Sequence, residues 1–150
     1  MAELQIRFVT QEDVAEVTDL LAAQLREHQM TPSTNALREA IRSVIDNPRF
    51  GFILLAACPD NPPIGVAYAS SLLSFEHGGI SGWVEELYVT PGWRGQGIGS
   101  RLLEKVISAA KELGWRALDL EVDAGHERAI RLYQRYHFLP HSRSRFYLTL

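Results

Sequence analysis

Between Val84 and Leu113 the chain passes from an apolar run, through a loop with glycines at 92, 95, 97 and 99, into a helix start. Ile98, Leu102, Leu103, Val106, Ile107, Ala110 and Leu113 then recur at helical spacing. A strand feeding a glycine-rich turn and a helix is a place to hold an anion. The first N–H groups of a helix have no partner within it, and the peptide dipoles add positive charge there. Glycine lets the backbone approach a ligand and adopt positive φ. The loop has no lysine, and Ile98 follows Gly97, so it is not a nucleotide-triphosphate loop. Nor does it fit the dinucleotide pattern, because the third glycine position falls on Ser100 or Leu102.

The rest of the chain supplies elements for one α/β domain over residues 1–150. Alternation of Leu4, Ile6 and Phe8 predicts a half-buried strand. Thr10, with Asp13 three residues on, predicts a helix start. That helix runs to about Glu27 through Val14, Val17, Leu21 and Leu25. A second helix starts near Ser33 or Thr34 and stops at Asn47-Pro48. Strands are expected at Phe50–Cys58, Ile64–Leu73, up to Val89, and at Trp115–Val122. A last helix spans about His126–Tyr136. Phe138–His141 and Arg145–Leu150 read as a closing hairpin. The order is βααβββαβαββ. It predicts a mixed, mostly antiparallel sheet with helices on both faces, because a helical crossover demands a parallel pair.

Formal net charge is −3 and no basic stripe stands out, so nucleic acid is not an expected partner. No apolar run approaches a membrane span, and no signal peptide is evident. The lone Cys58 excludes an internal disulfide and suits a reducing compartment. A cytoplasmic location is expected. No metal site is expected from the histidine spacing.

Arg94-x-x-Gly97-x-Gly99, preceded by Val89 and Pro91, resembles the pyrophosphate loop of the GNAT N-acetyltransferase superfamily. Leu120-Glu121-Val122, then Ala129-Ile130-x-Leu132-Tyr133 and Phe138, resembles that family's second block. The chain departs from it at two positions, with His126 where asparagine is frequent and His137 where glycine is usual.

The resemblance implies acetyl-CoA as co-substrate and acetyl transfer to a small or polyamine-like amine. It implies that the backbone of Leu87, Tyr88 and Val89 pairs with the pantetheine arm. The amides of Arg94, Gly95, Gln96, Gly97, Ile98, Gly99 and Ser100 would hold the pyrophosphate, and His126 would touch the arm. Tyr133 would be the acid that protonates the leaving thiolate. Glu85 and Glu86 stand where polyamine-type relatives carry an acidic pair. Glu85, with the strand parity of Leu87 and Val89, is the expected base unless a bulge alters the count. Glu86, Glu27 and His28 are expected to border the acceptor. Two alternatives stay open: acetylation of a protein N-terminus or lysine, and a non-catalytic CoA-binding module. A homodimer is also left open.

Overall fold

The computed structural model describes residues 3–150. Five strands form one sheet in sequential order: β1 (Gln5–Phe8), β2 (Phe52–Ala57), β3 (Gly65–Ser74), β4 (Gly79–Val89) and β5 (Leu118–Leu120). The first three pairings are antiparallel and β4–β5 is parallel. The helices are α1 (Val14–Glu27), α2 (Thr34–Asp46), α3 (Ile98–Glu112) and α4 (Glu127–Arg135). α3 covers one face, where Leu102 and Val106 meet Leu54, Ala67 and Val84. α1 and α2 cover the other, where Val17, Leu21 and Ile41 meet Leu55, Val66 and Tyr88. Cys58 is buried at the end of β2.

The alternation of β2 explains why the core is double. Leu54 and Ala56 point to the α3 side, while Ile53 and Leu55 point to the α1–α2 side. A strand buried on both faces reads as a continuous apolar run, as Phe52–Ala57 does.

Helix starts and stops follow local chemistry. A short 3₁₀ turn over Gln11–Asp13 precedes α1. The Asp13 carboxylate there accepts from the Thr10 N–H at 2.7 Å and from both Arg7 nitrogens at 2.8 Å. Asp13 is buried, and these donors, Arg7 first, hold its carboxyl down at about 2. The depressed value contributes stability that is full above the ordinary carboxylate range and lost as pH falls through about 2. Asp13→Asn should therefore lower unfolding free energy by about 2 kcal/mol at pH 7. In urea titrations the gap to wild type should narrow between pH 4 and pH 2; a gap constant over that range would refute the ion pair's role.

α4 ends in a motif that requires a left-handed residue. The Phe138 N–H donates to Tyr133 O at 3.1 Å, the His137 N–H donates to Gln134 O at 3.0 Å, and His137 has φ +67°. Phe138 packs edge-on to Tyr133, with ring centroids 5.9 Å apart. His137 thus takes the glycine-like conformation expected of its position. A non-glycine residue there costs on the order of 1 kcal/mol, so His137→Gly should raise the melting temperature slightly. A fall would mean that the imidazole makes a compensating contact.

The expected closing hairpin is not formed. No regular element follows α4, and Leu139, Phe146, Tyr147, Leu148 and Leu150 are exposed. Alternating apolar residues make a strand only where an edge offers a ladder. β5 is three residues long, and the tail is instead held by side-chain ion pairs, Arg143–Glu76 at 2.8 Å and Arg145–Glu121 at 2.9 Å.

Candidate active site

β4 and β5 pair only from Gly82 to Val84 on the β4 side, against Leu118 to Leu120. Beyond Val84 the two strands part, and β4 continues to Val89 with β3 as its only ladder partner. Alternate N–H and C=O groups of Glu85–Val89 therefore face a gap, as on any sheet edge. Leu87, Tyr88 and Val89 all lie on this stretch.

The glycine loop opens at the end of the same strand. Pro91–Trp93 form a 3₁₀ turn, and the Trp93 and Arg94 N–H groups donate back to Thr90 O and Pro91 O. The N–H groups of Gly95, Gln96, Gly97, Ile98, Gly99 and Ser100 have no acceptor among the described residues, and the next, Arg101, donates to Gly97 O. Gly95 and Gly97 have φ of +81° and +80°, the left-handed conformation that glycine adopts without steric cost. A run of unpartnered amides at a helix start fits an anionic phosphate.

Arg94 does not extend toward those amides with its side chain. Its Nε donates to Val89 O at 2.7 Å and its Nη2 grips both Glu27 oxygens at 2.9 Å. The guanidinium lies over the Tyr88 ring, 5.4 Å from its centroid. Arg94 is thus a clasp between the end of α1 and the end of β4. It is neither free in solvent nor aimed at the anion site.

Two arginines that the sequence reading did not single out stand beside the amides instead. A Cβ at Gly95 would lie 2.9 Å from Arg128 Nη2, and Arg135 Nη2 donates to Ser100 Oγ at 3.3 Å. Arg128, Arg131 and Arg135 have the spacing of one helix face, which was the available signal. An apolar-stripe search passes over it. Close packing of α4 on the loop is also seen at Gly99, where a Cβ would touch Leu132 and Val89 at 4.0 Å.

The register between β3 and β4 slips between Tyr68 and Ala69: Tyr68 pairs with Glu86, but Ala69 pairs with Val84. Glu85 is the extra residue of a β-bulge, which breaks the alternation. Val84 and Leu87 both face α3, although they are an odd number of positions apart. The parity that linked Glu85 to Leu87 and Val89 therefore does not carry across the bulge. Glu86 stands opposite Tyr68, on the face that Tyr88 shares. Burial, and then the charge of Glu85, push the Glu86 carboxyl up to about 7. Burial also raises Glu85, while Arg145 and the Ser70 hydroxyl hold it back. The Tyr68 hydroxyl, raised to about 12 by burial and by Glu85, donates to Phe50 O at 3.1 Å.

Tyr133 lies in the last turn and a half of α4, next to Leu132, which approaches Gly99. Burial raises its phenol above the ordinary value. Its hydroxyl makes no hydrogen bond to another described residue.

Past the splayed strands, His28 and His126 come together with ring centroids 6.5 Å apart, and His28 Nδ1 is 3.7 Å from Asp123 Oδ2. The end of α1 therefore reaches the glycine loop through Glu27 and the β5–α4 loop through His28. No group of three or more potential metal ligands occurs among the described residues. No helix among the described residues is long and apolar enough to cross a membrane.

A family model described as the acetyltransferase (GNAT) family matches residues 14–138. Thialysine N-epsilon-acetyltransferase of Bos taurus is 28% identical over 141 residues, covering 89% of this chain and 83% of that protein. An integron cassette protein from the mobile metagenome of a salt marsh superposes with a TM-score of 0.86 at 27% identity, covering 97% of this chain and 90% of the other. An aminoglycoside N-acetyltransferase solved in complex with CoA superposes at 0.84 over 99% and 96% of the two chains. At 18% identity that likeness speaks for the fold alone.

Proposed function

This chain belongs to the acetyltransferase (GNAT) family and is an acyl-CoA-dependent N-acetyltransferase, and on that premise we propose that residues 1–150 act as one domain that moves acetyl from acetyl-CoA to a primary amine of a small, cationic acceptor in a ternary complex. The observation that carries the donor half is the run of unpartnered amides from Gly95 to Ser100, set at the end of a strand whose edge is open from Glu85 to Val89. The amides, with Arg128 alongside, would hold the diphosphate. Leu87, Tyr88 and Val89 would offer backbone groups to the amide-bearing arm, with His126 across the gap. When bound, acetyl-CoA supplies an activated acetyl thioester.

The residues of this chain supply the proton management. An amine of the lysine type has a pKa of about 10.4 and is mostly protonated at pH 7. Burial, and then the charge of Glu85, keep the Glu86 carboxyl protonated up to about pH 7. Glu85 then remains the carboxylate and takes the amine proton, directly or through water. A backbone N–H on the β4 edge would face the thioester oxygen. Tyr133 gives a proton to the departing sulfur. The Glu85 carboxylate favours a positively charged acceptor, whereas the Glu27 charge is already met by Arg94. The relative named for thialysine, itself an amine, supports that class of substrate.

Calorimetric titration with CoA tests the donor site directly. A Cβ at Gly99 meets only ordinary contacts at 4.0 Å, so Gly99→Val should leave melting temperature nearly unchanged. It should weaken CoA by about tenfold or more by crowding the amides. Arg128→Ala should weaken CoA severalfold, with a shallower salt dependence. Wild-type affinity in both variants would remove the loop from the donor site. In parallel, a thiol-release screen with acetyl-CoA should show turnover on small amines; turnover on peptides alone would move the acceptor to protein.

A further inference from the structure

A cation already sits on the face of the sheet that carries the acidic pair. Arg145, in the irregular tail, places its guanidinium over the Trp83 ring, 4.4 Å from the centroid, and its Nη1 2.9 Å from Glu121 Oε1. Trp83 is on β4 two residues before Glu85 and stands opposite Ser70, whose hydroxyl, like Arg145, acts on the Glu85 carboxyl. Trp83 and Glu121 thus hold one positive charge supplied by the chain itself, near enough to the acidic pair to act on Glu85.

An aromatic face plus carboxylates is the donor set that recognises an ammonium or guanidinium. Nothing about it requires Arg145 in particular. The tail carrying Arg145 has no backbone ladder to hold it. The side chains of Arg145 and Glu121 are 51% and 59% exposed, so solvent and solutes reach the pair. Residues 146–148 project into solvent just beyond it. An exposed ion pair and an exposed cation–π contact are each worth about 1 kcal/mol or less, which a millimolar dication can match.

We propose that Trp83 and Glu121 form a subsite for a second positive group of the acceptor, and that Arg145 is its resting occupant, displaced when a dication binds. This rests on the amine-acceptor reading above and narrows it to diamines. Two residues along a strand span about 6–7 Å, the order of the separation between the nitrogens of 1,4-diaminobutane. A dication with one nitrogen on Trp83 therefore brings the other into the neighbourhood of the acidic pair. A monoamine placed at the acidic pair has no second cation for the subsite, so its productive binding does not require Arg145 to leave.

The test pairs turnover with a binding signal that needs no catalysis. With acetyl-CoA and thiol release, Arg145→Gln should lower the ratio of KM for 1,4-diaminobutane to KM for butylamine about fivefold, an effect on Glu85 being common to both acceptors. Adding Glu121→Gln in that background should raise the ratio again. Separately, the indole N–H resonance of Trp83, assigned with Trp83→Phe, should shift on titration with 1,4-diaminobutane and saturate at lower concentration in Arg145→Gln. A KM ratio that rises or stays level in Arg145→Gln, or a Trp83 resonance indifferent to the diamine while turnover proceeds, overturns the subsite. A shift with the expected Arg145 dependence but no turnover on any amine keeps the subsite and overturns the acetyl-transfer reading instead.

Discussion

Tyr133→Phe should reduce turnover by on the order of 10²-fold or more, with CoA affinity and thermal stability little changed. The substitution keeps the ring that packs against Phe138 and removes only the hydroxyl. That hydroxyl is the part with no hydrogen bond among the described residues, so its loss leaves no orphaned partner behind. Burial raises the phenol's pKa, so it stays protonated throughout the working range and is always ready to donate. A phenol kept neutral holds its proton for the departing sulfur; because its pKa lies above the ordinary thiol range of about 8.5, the transfer runs uphill and the phenolate regains its proton from solvent. The measurement is kcat by thiol release under conditions where single-turnover rates show chemistry to be limiting. Wild-type kcat there would reduce Tyr133 to a packing residue. A loss confined to stability would say that the ring is held differently from the geometry seen.

Glu85→Gln should lower kcat/KM by 10²-fold or more near neutral pH, within the range of general-base effects, and recover in part at high pH, where solvent deprotonates the amine. Glu86→Gln should act differently. Glu86 is neutral up to about pH 7 and Glu85 answers to its own burial, Arg145 and Ser70, so this variant should leave the acid limb of the profile in place. The sign is set by the raised values. A base is inactive when protonated, so activity falls as pH drops through the Glu85 titration, which burial moves up from the ordinary carboxylate range. A loss in Glu85→Gln that is equal at every pH would make Glu85 a binding residue. A larger pH-dependent loss in Glu86→Gln would move the base to its neighbour.

Much of the fold and some of the site were legible in the residues because they depend on short-range chemistry. Helix caps at Ser33, Gly114 and His137 are satisfied by groups within a few positions, and the Phe52–Ala57 run declares a strand buried on both faces. The glycine spacing from 92 to 99 announces an anion loop because the positive φ values at Gly95 and Gly97 are local requirements. Other features needed the packed chain. The bulge at Glu85 is a relation between β3 and β4, and periodicity within β4 alone cannot reveal it. The clasp of Arg94 on Glu27 joins residues far apart in the chain, so no local pattern shows which way that side chain turns. Arg128 reaches the glycine loop only because α4 docks against it. Residues 146–150 alternate like a strand, yet a strand exists only with a partner edge, and the three-residue β5 does not pair with them. The sequence by itself determined the helices, the strands before α3 and the loop whose glycines turn through positive φ, because backbone dihedrals, caps and periodicity act over a few residues. The tertiary structure decided which charges meet and which way the acidic pair points, because those depend on register and docking between elements distant in the chain.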